Sequence, residues 1–166
     1  MTAEDSDRPV FERVDHVSWS VPDLEAAVRF YTEVFGAREL YRLGPLDARD
    51  IPKDEAGRDW MATHVNVADA RLTLVMMTLG PNMNFQLAHY ERPGSATEAP
   101  PRNCDRGGHH LAFAVDDAGK AARYLAAHGC TVFDQIAVDE GPGAGRFHYV
   151  LDPWGHQIEI CQYPKA

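Results

Sequence analysis

Hydrophobic and polar residues alternate along this chain in a pattern that occurs twice. Residues 16–21 alternate as in a strand with one buried face, and turn residues flank them. Asp23 then stands at an expected helix N-cap. Leu24, Ala27, Val28, Tyr31 and Val34 follow at helical spacing, and Gly36 stops the helix. Residues 37–43 read as a strand. Residues 44–59 are polar, hold Pro45 and Pro52, and read as a loop or insertion. Residues 71–79 and 84–90 read as two more strands, joined by Gly80-Pro81-Asn82. The second half gives a strand over 109–115, a helix from Asp117 to His128 and a strand over 131–136. Its last two strands, 146–151 and 157–162, are separated by Asp152-Pro153-Trp154-Gly155, a type I turn preference.

The recurrence extends to the residues themselves. His16-Val17-Ser18-Trp19-Ser20-Val21-Pro22-Asp23 matches His110-Leu111-Ala112-Phe113-Ala114-Val115-Asp116-Asp117 without a gap. Ala27, Arg29 and Phe30 then answer Ala121, Arg123 and Tyr124. Near the end of each half, Phe85-Gln86-Leu87-Ala88-His89-Tyr90 resembles Ile158-Glu159-Ile160-Cys161-Gln162-Tyr163. The chain therefore reads as one unit of roughly 60–80 residues used twice, in the order strand–helix–strand–strand–strand. This predicts an α+β fold of two βαβββ modules, 12–92 and 108–164. The aperiodic, Pro-, Gly-, Ser- and Thr-containing stretch 93–107 is read as the linker.

Side chains of a strand alternate between its faces. On the first strand Val17, Trp19 and Val21 share an apolar face for the helix to cover, which leaves His16, Ser18 and Ser20 on the other. On the matching strand Leu111, Phe113 and Val115 are the apolar set, and His110, Ala112 and Ala114 lie opposite. Each unit thus opens with a histidine followed by two small residues on one side, as a concave face with a ligand at one end requires. In the closing strands Phe85 and Leu87 form one face, as do Ile158 and Ile160. Gln86 and Glu159 fall on the other. Taken singly, each polar residue has a plain reading: a hydrogen-bonded strand histidine, a surface amide, an exposed carboxylate. Four at repeat-equivalent positions favour another. Two imidazoles, a carboxylate and an amide oxygen make a reasonable divalent-cation site. The remaining histidines keep the structural reading, with entry of His148 from the penultimate strand left open.

The chain has 166 residues, 45% apolar and 25% charged, the profile of one soluble globular domain. A net charge of −9 disfavours nucleic acid and anionic membrane, which need a basic face. No apolar run approaches the roughly eighteen residues of a membrane-spanning helix. The N-terminus is polar and acidic, unlike a secretory leader. Cys104, Cys130 and Cys161 fit no cysteine-only zinc pattern and suit reduced thiols. A cytoplasmic protein is expected.

Asp15-His16-Val17, Gly36, Asn84-Phe85-Gln86-Leu87, the run Gly108–Val115, and Asp152-Pro153-Trp154-Gly155 through Ile158-Glu159-Ile160 together resemble the vicinal oxygen chelate superfamily. That superfamily includes glyoxalase I, methylmalonyl-CoA epimerase, extradiol dioxygenases and the bleomycin resistance proteins. The resemblance covers residues 12–164. It implies that the two modules pair into a half-open barrel around one divalent ion held by His16, Gln86, His110 and Glu159. The ion would be zinc, nickel, cobalt, manganese or iron. It further implies a homodimer and a small-molecule substrate that chelates the metal through neighbouring oxygens. Many members carry Glu where this chain has Gln86. His16, His110 and Glu159 alone would be a two-His-one-carboxylate triad, as in non-haem iron oxygenases.

Three functions compete. The first is a metal-dependent lyase or isomerase of the glyoxalase I or methylmalonyl-CoA epimerase type, with an enediolate stabilised on the cation and Glu159 as base. The complete ligand set favours it. The second is an extradiol-type dioxygenase with Gln86 off the metal. The third is a binding or resistance protein, against which the complete ligand set counts. No coenzyme A or glutathione signature is legible, and the substrate is not encoded in any motif.

Overall fold

The computed structural model describes residue 9 and residues 12–81 and 83–164. The chain divides into two compact units, Met1–Arg92 and Pro93–Ala166.

The first unit runs β1 (Val17–Ser20), α1 (Leu24–Phe35), β2 (Arg38–Asp47), α2 (Trp60–Val65), β3 (Arg71–Leu79) and β4 (Met83–Arg92). The sheet order is β1-β4-β3-β2, with β1 parallel to β4 and the other pairs antiparallel. Asp23 caps α1 by accepting from the Ala26 amide at 2.9 Å. Gly36, at φ 72°, ends α1 by returning its amide to Thr32. The inner stripe of α1 buries Leu24, Ala27 and Tyr31 against the sheet. There Trp19 stacks on Phe85 at 5.1 Å, and Tyr31 meets Phe85 at 5.3 Å. These aromatics form the core beneath the helix. Strand alternation predicts this face for Trp19 and Phe85, and helical spacing predicts it for Tyr31.

The first half departs from expectation in two places. Strand β2 continues through Gly44 and Pro45 to Asp47, where a loop was expected. It is an edge strand with a register shift between Leu43 and Leu46, so a residue without an amide hydrogen is tolerated. Gly44 has φ 120°, and a Cβ there would lie 2.8 Å from the Leu72 carbonyl oxygen, so only glycine fits. The insertion that follows also has a helix, α2, capped by Asp59. Met61 of α2 packs with Ala48, Ala70 and Leu72 in a small second core. Asp47 ties this region down. Its carboxylate takes Arg92 at 2.6 Å, Arg71 at 3.2 Å and the Arg49 amide at 2.9 Å.

The second unit runs β5 (Leu111–Ala114), α3 (Ala118–Ala127), β6 (Thr131–Val132), β7 (Ile136–Val138), β8 (Gly145–Leu151) and β9 (Gln157–Gln162). Its order is β5-β9-β8-β6, with β7 also on β8, so it repeats the order of the first sheet with an additional short strand on β8. Asp117 caps α3 through the Lys120 amide at 2.8 Å. Ala118, Ala122 and Leu125 pack against a sheet face with Val150, Ile158 and Ile160. Phe113 on that face is only half-buried, unlike its counterpart Trp19. The single strand expected over 131–136 is split in two. His148 Nδ1 donates to the Phe133 carbonyl at 2.9 Å, filling an acceptor position where the ladder is interrupted. Asp152 and Gly155 close the expected turn with an amide-to-carbonyl bond of 3.0 Å. Among the described residues no helix is long and apolar enough to cross a membrane.

Candidate metal centre

The two closing strands present their polar side chains at the same register. Gln86 lies beside Ser18 of β1, and Glu159 lies beside Ala112 of β5. On its other side Gln86 pairs with Met76 of β3, while Glu159 pairs with Tyr149 of β8. Cross-strand partners share a face. Each unit therefore offers a polar residue between a small residue and a large one, on the face turned away from its helix.

In the first unit Ser18 Oγ donates to Gln86 Oε1 at 3.1 Å. His16 immediately precedes β1 and, by alternation, belongs on the side of Ser18. Its Nδ1 sits 2.8 Å from the Asp15 carboxylate. Hydrogen bonds from His16 and then Arg13 hold Asp15 below the usual carboxylate range. An ionised carboxylate only accepts, so Nδ1 donates, and Nε2 is the ring nitrogen left to face a ligand.

In the second unit His110 Nε2 lies 3.3 Å from Glu159 Oε2, and the Glu159 side chain is 19% exposed. His110 Nδ1 faces Asn103 Oδ1 at 3.3 Å. The Asn103 amide nitrogen is engaged with Gln157 Oε1 at 2.9 Å, so its oxygen is the acceptor toward the ring. With Nδ1 turned to that oxygen, Nε2 of His110 faces a carboxylate oxygen. That spacing suits either a proton on Nε2 donated to the carboxylate or a cation held between the two atoms. Two donors each about 2.1 Å from one ion, at tetrahedral or octahedral angles, lie ~3.0–3.4 Å apart. The observed spacing fits that geometry. Both histidines have Nδ1 engaged by an oxygen, as metal-ligating imidazoles do.

Tyr149 completes the surroundings of this pair, and the sequence reading did not name it. Its ring meets His110 edge-on, with centroids 5.4 Å apart and planes at 83°. Burial, followed by the Glu159 charge, pushes its phenol above the ordinary value, so it stays protonated at neutral pH. Cys161, on the same face as Glu159, is also pushed up by burial and by Glu159, so its thiol is not a poised nucleophile. His148 is excluded from this face. It pairs in register with Ile160 and points into the core beneath α3. The alternation that selects Tyr149 removes His148, and the hairpin register was the signal that would have decided between them.

Among the described residues no three His, Cys, Asp or Glu side chains converge. Each unit by itself supplies two of the four expected ligands.

A family model for the glyoxalase/bleomycin resistance protein/dioxygenase superfamily matches residues 13–160. The chain belongs to this superfamily. It is 43% identical over 157 residues to a 2-epi-5-epi-valiolone epimerase from Actinomyces, a match covering 92% of this chain and 80% of that one. It is 24% identical over 147 residues to a lactoylglutathione lyase of Arabidopsis thaliana, covering 89% of this chain and 43% of that longer one. Among solved structures, a glyoxalase family protein from Bacillus cereus superposes with a TM-score of 0.73 at 18% identity, covering 94% and 97% of the two chains. That likeness shows an α+β fold built from two βαβββ modules. Superfamily membership and the epimerase likeness support an enzyme of the isomerase, epimerase or lyase type. The dioxygenase alternative gains no support from the two curated relatives.

Proposed function

We propose that this protein is a metal-dependent epimerase that inverts a stereocentre next to a ketone. In this reading His16, Gln86, His110 and Glu159 hold one divalent cation. The observation that carries it is the 3.3 Å approach of His110 Nε2 to Glu159 Oε2, a spacing that suits two donors on one ion. The equivalent register of Gln86 and Glu159 supports the remaining half of the set. The substrate class follows from the relative at 43% identity, whose substrate is 2-epi-5-epi-valiolone.

The chemistry suits these groups. A hydrogen on the carbon beside a ketone leaves as a proton, and its bonding electrons pass to the carbonyl oxygen. Glu159 passes its proton to solvent, and solvent returns one to the opposite face, which inverts the centre with no net change in atoms or oxidation state. When bound, a divalent cation supplies Lewis-acid stabilisation of the negative charge developing on that oxygen. Glu159, held half-buried beside His110, is assigned as the group that takes the proton. Ser18 orients Gln86 by hydrogen bonding to its amide oxygen. The small side chains of Ala112 and Ala114 leave room on the second unit's face for a substrate ring. Tyr149, a neutral hydroxyl beside Glu159, is available to hydrogen-bond a substrate oxygen.

The test is an anaerobic incubation in deuterium oxide of 2-epi-5-epi-valiolone with protein loaded with a divalent ion, followed by proton NMR. Deuterium at a carbon next to the ketone, with a second diastereomer forming and no oxygen needed, is the expected result. Oxygen uptake with catechols and iron, without exchange on the ketone, would overturn it.

A further inference from the structure

We propose that Asn103, in the loop before β5, fixes the tautomer of His110 and so sets its strength as a metal ligand. The inference rests on the metal-site reading above.

Asn103 is placed to do this by bonds on both sides. Its amide nitrogen donates to Gln157 Oε1 at the start of β9, and its oxygen accepts from His110 Nδ1 at the head of β5. The side chain therefore bridges the two strands that bring His110 and Glu159 together. The backbone that carries it is braced. Arg102 and Asp105, on either side of Asn103 and Cys104, form a two-point ion pair at 2.9 and 3.1 Å. The Asp105 carboxylate also accepts from the Arg102 amide at 2.9 Å, and Arg102 holds its pKa down to about 2. Gly108 returns its amide to the Asp105 carbonyl, and a Cβ there would come within 1.9 Å of the Arg102 carbonyl oxygen. The turn thus admits only glycine at 108 and delivers Asn103 to the imidazole.

The first unit solves the same problem differently. There the neighbouring carboxylate of Asp15 engages His16 Nδ1 at 2.8 Å. In the second unit the matching neighbour is His109, whose own ring bonds to the Gly107 carbonyl. Asn103 takes the place of Asp15 from outside the strand. Without it, the neutral His110 ring is free to carry its proton on Nε2, facing Glu159, where it would both satisfy the carboxylate and block the ligand lone pair. Oxygen partners of this kind commonly govern metal affinity by about 10–100-fold.

The experiment compares wild type, Asn103→Leu, Asn103→Asp and His110→Ala. Zinc is the probe ion, titrated against a chromophoric chelator, and thermal unfolding is followed in parallel. Nitrogen-15 spectra of the imidazoles are recorded on metal-free protein with neutral rings. Asn103→Leu should weaken zinc about 10–100-fold while the protein stays folded at the titration temperature, and should lower the Nδ1-protonated fraction of His110 relative to wild type. Asn103→Asp should bind zinc at least as tightly as wild type, since a carboxylate replaces the amide oxygen as acceptor. If Asn103→Leu binds zinc like wild type while His110→Ala loses it, the role of Asn103 is refuted and the metal site stands. If Asn103→Asp is as weak as Asn103→Leu, acceptance at Nδ1 is not what matters, and the inference fails. If His110→Ala itself binds zinc like wild type, the metal-site reading fails and this inference with it.

Discussion

His110 Nε2 faces Glu159 Oε2 at 3.3 Å beside the parallel β5–β9 pair. Substituting Glu159→Gln keeps an oxygen in place but removes its charge and its capacity to take a proton. Ketone-adjacent exchange should fall by about 10²–10⁴-fold, the usual worth of a positioned base. Deuterium exchange followed by NMR measures this. An unchanged rate would assign the base elsewhere.

Gln86 separates the two enzyme classes. Its amide oxygen accepts from Ser18 and occupies the register slot that Glu159 has in the other unit. Gln86→Glu should retain the metal, because a carboxylate also donates oxygen. The added negative charge should make the ion a weaker Lewis acid and change the turnover rate. Metal content and initial rates on the same preparation check both halves.

Trp19 and Ala112 test the assignment of faces. Trp19 is 8% exposed and stacks on Phe85, so Trp19→Ala should cost ~3–5 kcal/mol in denaturant unfolding. Ala112 is exposed beside Glu159. Ala112→Met should cost little stability and should raise KM. The reverse pattern would mean that the faces are exchanged.

Asp47 gives a dependence on pH. The Arg49 amide, then Arg92, hold its pKa at about 2, with Arg71 adding to them. A depressed carboxylate contributes stability that is present above its unfolded pKa of about 4 and is lost as pH falls through the folded value. The destabilisation caused by Asp47→Asn should be full at neutral pH and should shrink as pH falls from about 4 to about 2. Unfolding of both proteins across that range measures the difference, and a penalty constant with pH would contradict the ion-pair account.

The repeat and the alternation of side chains carried most of what could be read before the structure. Gln86 and Glu159 were picked out by position alone, and they occupy equivalent registers beside Ser18 and Ala112. Tyr149 was missed because its face depends on the register of the β8–β9 hairpin, which alternation within one strand does not fix. Strand β2 was cut short at Gly44 because proline and glycine signal a break, whereas an edge strand absorbs both at a bulge. Helix α2 has six residues, fewer than two turns, too few for a helical period to declare itself. The break between β6 and β7 coincides with a side-chain bond from His148 to the Phe133 carbonyl, a contact invisible to local pattern. Asn103 lies in a stretch without period, and its role emerges only from its partners on β9 and at the head of β5.

The central claim is that His16, Gln86, His110 and Glu159 hold one divalent ion. Its most direct test is metal content per chain, by elemental analysis, in protein purified without added metal, together with the affinity for that ion. The same measurements are made on His16→Ala, His110→Ala and Glu159→Ala. Wild type should carry one ion per chain, and each substitution should remove it or weaken it severely. Stoichiometric metal at unchanged affinity in His110→Ala would contradict the account.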